Sequence, residues 1–245
     1  MNTFTGGATL SGSGEVAASN NAAFGSVGTL TLNGAKLRGT IAATTTLANP
    51  VVIAANTTFP SVTTEKSLIF TGNAVLSGGT RTLTGSIGTT VAGSVTSFTG
   101  NLGEASAGLG LIKAGTGTIV LSGTSTYTGP TTVTAGRLLI TKAAGLYNSQ
   151  TNLWTDTNIN VASGATLALD FPRAAGVDAL IGQLNRLALE HGGRVYLAKD
   201  ALLTPDLFRA MYPRHGELAA ILDQVDPAAH FTSDQARRLG LKPAR

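Results

Sequence analysis

One tripeptide constrains this chain more than any other feature: a large apolar residue, then Thr, Ser or Asn, then Gly, recurring between residues 1 and 130. It occurs as Phe4-Thr5-Gly6, Leu10-Ser11-Gly12, Leu32-Asn33-Gly34, Phe70-Thr71-Gly72, Leu76-Ser77-Gly78, Leu83-Thr84-Gly85, Phe98-Thr99-Gly100, Leu121-Ser122-Gly123 and Tyr127-Thr128-Gly129. In an extended backbone, neighbouring side chains point to opposite faces, so the apolar residue turns inward and the hydroxyl or amide outward. The glycine then supplies the positive φ that a sharp corner needs. Each copy therefore predicts the end of a short strand. Between the copies lie alternating runs such as "GTLTLNG" (28–34), "GTIVLSG" (117–123) and "TTVTAGRLLIT" (131–141), whose period of two marks strands with one buried face.

Many short strands fit either a sandwich or barrel, or a solenoid. A sandwich packs several large aromatic residues in its core, whereas aromatic residues make up 5% of this chain. The corners are rich in Gly, Ser, Thr and Asn. The pattern predicts a mainly β chain built on a right-handed parallel β-solenoid, in which stacking supplies the core and the open ends need protection. Unprotected ends imply edge-to-edge self-association.

Charge divides the 245 residues unevenly. Residues 1–168 carry four acids (Glu15, Glu65, Glu104, Asp156) and seven bases, while the last 77 residues carry nine acids and ten bases. The net charge of +4 thus comes from scattered lysines and arginines and forms no basic stripe, which argues against a nucleic-acid partner. There is no cysteine, which excludes disulfides, thiolate metal sites and a cysteine nucleophile. Met1 is followed by Asn, Thr, Phe, Thr, Gly and Gly, with no basic start or apolar run of the signal-peptide kind. No apolar run reaches the ~20 residues of a transmembrane helix. Taken literally, such a chain stays in the cytoplasm.

Residues 110–140, "GLIKAGTGTIVLSGTSTYTGPTTVTAGRLLI", resemble the autotransporter-associated β-strand repeat, also called the passenger-associated transport repeat. The carrying residues are Leu111-x-Lys113-x-Gly115-Thr116-Gly117-Thr118, Leu121-Ser122-Gly123, Tyr127-Thr128-Gly129 and Thr132-x-x-x-Gly136-x-Leu138. Weaker likeness extends over about 5–169. The resemblance implies a β-helical passenger segment of a large secreted or surface-displayed bacterial protein. Its partners would be a surface ligand or other parts of a longer passenger, and its setting the cell surface and outer membrane.

Candidate chemistry in this segment is sparse. Neither a phosphate-binding G-x-x-x-x-G-K-[ST] loop nor a glycine-rich calcium repeat occurs, and no metal site is expected. A glycosidase would need paired carboxylates, for which Glu104 with Asp156 is the one loose candidate against a surface role for both. Trp154, the lone tryptophan, is expected to be a half-buried packing residue rather than a sugar anchor. Lys113 and Gly117 are expected to serve corner geometry.

The text changes at "SGATLALDFPRAAGVDAL" (163–180), predicting a boundary between units 1–169 and 170–245. From Ala174 the spacing is helical: Val177, Leu180, Ile181, Leu184, Leu187 and Ala188 share a face, and Gly192-Gly193 ends it. "RVYLA" (194–198) reads as a short strand. Thr204-Pro205-Asp206 opens a second helix, Leu218, Ile221, Leu222 and Val225 mark a third, and Ser233-Asp234 caps a last turn. The second unit is thus predicted as a small α+β tail with one strand.

Residues 170–241 resemble the C-terminus of FAD-linked oxidases of the vanillyl-alcohol-oxidase fold, most of all the oxidase subunit of the decaprenylphosphoryl-ribose epimerase. Gly192-Gly193-Arg194-x-Tyr196-Leu197-Ala198-Lys199-Asp200, Ala210-Met211-Tyr212-Pro213-Arg214, Val225-Asp226-Pro227 and Phe231-x-Ser233-Asp234-x-Ala236-Arg237-Arg238-Leu239 carry the likeness. The resemblance implies Lys199 and Tyr196 as catalytic and cofactor-binding residues beside the flavin. Lys199 would stabilise an anionic reduced ring. The family's FAD-binding domain and its glycine-rich loop do not precede this tail, so no FAD is expected and both residues read as leftovers. His191, His215 and His230 read as surface residues. Three functions remain: a structural or interaction module without autonomous catalysis, an FAD-dependent oxidoreductase, and a fusion product or chimera without selected function.

Overall fold

The computed structural model describes residues 2–3, 5–25, 27–60, 66–86, 93–170, 176–197, 202–228, 230 and 233–241. Backbone contacts divide the chain into two units, residues 1–172 and 173–245.

The first unit is mainly β, with strands of three to five residues. The chain lays down β1 (Ala8–Ser11) and β2 (Glu15–Ala17), followed by β3 (Leu30–Asn33), β4 (Lys36–Arg38) and β5 (Thr45–Leu47). Then come β6 (Val51–Ile53), β7 (Thr57–Phe59) and β8 (Leu68–Phe70), and β9 (Ala74–Leu76), β10 (Arg81–Gly85) and β11 (Thr96–Phe98). β12 (Leu102–Glu104), β13 (Leu111–Ala114) and β14 (Thr118–Leu121) follow, and β15 (Thr131–Val133), β16 (Arg137–Ile140), β17 (Ile159–Val161) and β18 (Thr166–Leu169) complete the unit.

These strands form three sheets, and every strand pairing in them is parallel. The first sheet has the order β1-β3-β6-β9-β12, the second β17-β15-β13-β10-β7-β4-β2, and the third β18-β16-β14-β11-β8-β5. From β3 to β14 the chain visits first, second and third sheet in turn, so each pass lays one strand on its predecessor in each sheet. Paired residues lie between 19 positions apart (Thr118↔Arg137) and 30 apart (Arg81↔Leu111). This variation accounts for the irregular spacing of the tripeptide.

In-register pairing stacks like on like. In the third sheet Leu47, Phe70, Phe98, Leu121 and Ile140 form one buried file, and Phe70 and Phe98 stack with centroids 4.7 Å apart. In the first sheet Leu32, Ile53 and Leu76 do the same. Burying each such side chain contributes roughly 1.5–3 kcal/mol, which offsets the few hydrogen bonds of a three-residue strand. The middle residues of the tripeptides are exposed or half-buried as expected, whereas Thr45, Thr57, Thr96 and Thr131, outside the tripeptides, are buried. Thr57 satisfies its hydroxyl on the Ala55 carbonyl at 3.1 Å.

Seven of the nine tripeptides end strands, for two distinct reasons, while Tyr127-Thr128-Gly129 lies between β14 and β15 and Phe4 lies outside the described residues. In the first sheet Gly34, after β3, has φ +95° and room around it, as a corner requires. In the third sheet the glycines are needed for close approach. A Cβ on Gly100 would lie 2.2 Å from the Gly72 carbonyl oxygen, and one on Gly123 would lie 2.0 Å from that of Gly100. Successive passes thus touch backbone to backbone, with no space for a methyl group. Amides tie neighbouring passes at another corner: Asn73 Oδ1 accepts from Asn101 N–H, and Asn101 Oδ1 from Thr124 N–H, both at 3.0 Å.

The second unit is helical: α1 (Val177–Glu190), α2 (Pro205–Met211), α3 (His215–Val225) and α4 (Asp234–Arg238). The expected caps are present. Thr204 Oγ1 accepts from Leu207 N–H, Ser233 Oγ accepts from Ala236 N–H, and Gly192 (φ +69°) follows α1 while Gly193 N–H reaches the Ala188 carbonyl. Leu203, Phe208, Met211 and Leu239 form its small core. One expectation fails here. Residues 194–197 of the proposed "RVYLA" strand are not a strand, and Ala198 lies outside the described residues. Their carbonyls are taken by side chains, Val195 by the Tyr212 hydroxyl and Leu197 by Gln235 Nε2, because no second strand is present among the described residues of this unit to pair with them. The apolar face of α3 is uncovered, with Leu218, Ile221 and Val225 at 43%, 56% and 77% exposure.

The two glycine roles separate experimentally. Gly34→Ala should cost about 1–2 kcal/mol, the penalty of a left-handed Ala, whereas Gly100→Ala forces the backbones apart and should cost more than about 3 kcal/mol. Urea unfolding of both variants checks the order, and equal losses would refute it.

Candidate functional site

The segment with the specific repeat motif is also the one with the most unusual interior. Its strands β13 and β15 are neighbours in the second sheet, and β14 and β16 are neighbours in the third. Lys113 sits on β13 in an inward file, paired with Leu83 on one side and Val133 on the other, and is 0% exposed. The expected corner role is therefore replaced by an interior one. Its Nζ donates to the carbonyls of Ala114 (2.8 Å), Gly115 (2.7 Å) and Ala135 (3.0 Å). Burial lowers its pKa from 10.5 to about 8, so the group is still an ammonium at neutral pH. Gly117 does serve the turn, with its N–H on the Gly85 carbonyl at 2.8 Å and its carbonyl accepting from Arg137 N–H at 3.2 Å.

Next to it lies a buried hydroxyl chain. The Tyr127 and Thr131 hydroxyls meet at 2.7 Å, Thr131 Oγ1 donates to Tyr147 Oη at 2.9 Å, and the Tyr147 hydroxyl donates to the Asn158 carbonyl at 2.7 Å. The two rings meet edge-on, 5.5 Å apart. Burial raises both phenol pKa values. Tyr147, Asn148 and Ser149 all have left-handed φ (+52°, +49°, +61°), a conformation that β-carbons disfavour. The only sequence hint of it is Asn148, since Asn tolerates this region best after glycine.

The remaining candidates make local contacts. Glu104 ends β12 and spends both oxygens locally, Oε2 on Leu109 N–H (2.8 Å) and Oε1 on the N–H (3.0 Å) and hydroxyl (2.7 Å) of Thr128. Asp156 accepts from Thr157 N–H at 2.8 Å. None of these contacts brings the two carboxylates together. Trp154 is buried at 8% exposure, a packing residue more enclosed than expected. Among the described residues no group of three or more His, Asp and Glu side chains could hold a metal ion. A shallow groove of about 630 Å³ lined by Ser19, Asn20, Asn21, Thr40 and Thr44 together with Ala22 and Ala43 offers no charged group.

In the second unit Tyr196 is 73% exposed, and Lys199 lies outside the described residues. A cleft of about 210 Å³ lies elsewhere in this unit, between Arg194, Leu197, Phe208, Tyr212, Pro213, Arg214, His215 and Leu218. Arg194 covers the Tyr212 ring at 5.7 Å, and Arg214 pairs with Glu217. His215 Nδ1 meets the Tyr212 carbonyl at 2.8 Å, and His230 N–H bonds Asp226. No helix of the described residues is long and apolar enough to cross a membrane.

Comparison with known proteins supports both resemblances. Residues 111–140 match the passenger-associated-transport-repeat family. The chain is also similar to the decaprenylphosphoryl-β-D-ribose oxidase of Mycolicibacterium smegmatis, 47% identical over 78 residues, which is 32% of this chain and 17% of that protein. It is 46% identical over 81 residues to an uncharacterized Streptomyces coelicolor protein from the mprA 5′ region, covering 33% of this chain and 22% of that one. The chain thus spans about a fifth of the length of these relatives. No solved structure matches.

The buried ionisable groups give a signed pH dependence. Lys113 has a lower pKa folded than unfolded, so the unfolded chain binds the extra proton and stability should rise as pH climbs from about 8 toward 10.5. The phenols, raised above 10.0, pull the other way above that pH. The urea midpoint should therefore pass through a maximum near pH 10, and Lys113→Met should flatten its rising limb.

Proposed function

We propose that the first unit is a structural and interaction module: a right-handed parallel β-solenoid that belongs to the passenger of a secreted or surface-displayed bacterial protein and has no catalysis of its own. The observation that carries this is the repeat match at 111–140, which falls on β13–β16, strands that pair in parallel with strands before and after them. Three parallel sheets visited in turn are what a solenoid lays down, and the outward faces of its strands are the surface available to a ligand or to neighbouring parts of a longer passenger. Open strand edges at its ends favour association with further repeats or a second copy. The local use of both Glu104 oxygens supports a role without hydrolytic chemistry.

The experiment is display. The full chain placed between an export signal and an outer-membrane β-barrel should reach the cell surface and become accessible to added protease on intact cells. Retention inside the cell, with the same carrier exporting a control passenger, would overturn the reading.

A second reading, an FAD-dependent oxidoreductase, is favoured by the 47% identity of 78 residues to an oxidase. Purified chain that took up one flavin and absorbed near ~450 nm would support it. On the passenger reading, the protein stays colourless after incubation with FAD. A fusion without selected function is the third reading; transcripts crossing codons 163–172 test it, and failure to find them would sink the reading of a natural protein.

A further inference from the structure

We propose that the carbonyls of Ala114, Gly115 and Ala135 form a built site for a primary ammonium ion, which Lys113 fills as a tethered cation joining two successive passes of the chain. An ammonium carries three N–H donors and no acceptor, and here three carbonyl oxygens at 2.7–3.0 Å use all of them. Two acceptors belong to the lysine's own turn. The third, Ala135, is 22 residues further on, in the turn between β15 and β16. No carboxylate is among the partners, so carbonyl dipoles alone receive the charge.

The surroundings are shaped for this. A Cβ on Gly85 would lie 2.9 Å from Ile119 Cγ1 and in ordinary contact, 3.5 Å, with Lys113 Cε, so the missing side chain makes room for Ile119 packed beside the lysine stem. Gly136, with φ +62°, would place a Cβ 2.4 Å from the Gly115 oxygen and 2.6 Å from that of Gly117, so only glycine lets the two turns close on one cation. Thr134 completes the joint, its N–H and hydroxyl both donating to the Lys113 carbonyl, at 2.9 and 3.1 Å. The site lies on a short step in the stack, 20 residues from Lys113 to Val133, beside the shortest, 19 residues from Thr118 to Arg137. A short step leaves little chain to cover inward carbonyls, and the ammonium satisfies them instead. A lysine used only as apolar filler would not need three acceptors.

The test uses the full chain and two alkyl probes. In Lys113→Ala, amide exchange at Thr134 and Arg137 should quicken roughly 10- to 100-fold, the range expected when buried acceptors lose their donor, with Leu30 and Val51 unchanged. Propylammonium, the excised part of the side chain, should restore protection, and propanol should not. Equal rescue by propanol would reduce Lys113 to a filler and overturn the proposal, as would Lys113→Met with unaltered exchange. Should neither variant fold, the unaltered chain decides. Its Lys113 ammonium protons should exchange slowly at neutral pH, and exchange at the rate of a free lysine would overturn the site.

Discussion

The contact on which the first unit depends is backbone against backbone. At the corners after β8, β11 and β14 the chain crosses the preceding pass so closely that Asn49, Gly72 and Gly100 present carbonyl oxygens 2.0–2.2 Å from where the next residue's Cβ would be. Three parallel sheets at the usual strand spacing of about 4.8 Å hold only if each corner also advances by that distance. A side chain at the corner would lengthen the step there and tear the sheets out of phase. The recurring glycine is thus a spacing device first and a turn former second, and the files Leu47 to Ile140 and Leu32 to Leu76 exist because it keeps the strands in register.

Within that frame the interior is less uniformly apolar than a strand stack needs to be. Most files are Leu, Ile, Val and Phe, but β13 brings a lysine into one of them, and Tyr127, Thr131 and Tyr147 form a hydroxyl chain alongside. Each polar group has its acceptor, which is what permits it to be there. Both features fall toward the β17–β18 end of the stack, where residues 143–153 replace a first-sheet strand with three short 3-10 turns. Polar pinning stands in for apolar stacking where a strand is missing from one of the three sheets.

Strand ends were legible because the tripeptide combines three independent physical preferences in fixed order. Assignment to sheets was not, since the spacing between partners follows loop length and loops carry no period. Lys113 was misplaced at a corner because a long amphipathic stem looks polar in a pattern of faces, and only carbonyls 1, 2 and 22 residues away reveal its destination. In the second unit the caps at Thr204, Ser233 and Gly192 were read correctly from local chemistry alone. "RVYLA" has every local mark of a strand and is none, because a strand also needs a neighbour, and its neighbour is a matter of tertiary context. The bare face of α3 has the same origin: the heptad-like spacing specifies an apolar stripe without specifying what lies against it. Of the oxidase-like site, the sequence named Tyr196 and Lys199 by likeness; Tyr196 stands exposed and Lys199 lies outside the described residues.

The freedom in step length, from 19 to 30 residues between stacked partners, separates what this architecture must conserve from what it is free to vary. The strands and corner glycines act as a fixed gauge, and the loops between them are slack. Material added to a loop changes neither the phase of the next strand nor the identity of its partner, unlike in a helix, where one inserted residue rotates everything beyond it by about 100°. A chain of this kind is therefore open to remodelling one loop at a time, each new segment carried at the periphery of an unchanged scaffold.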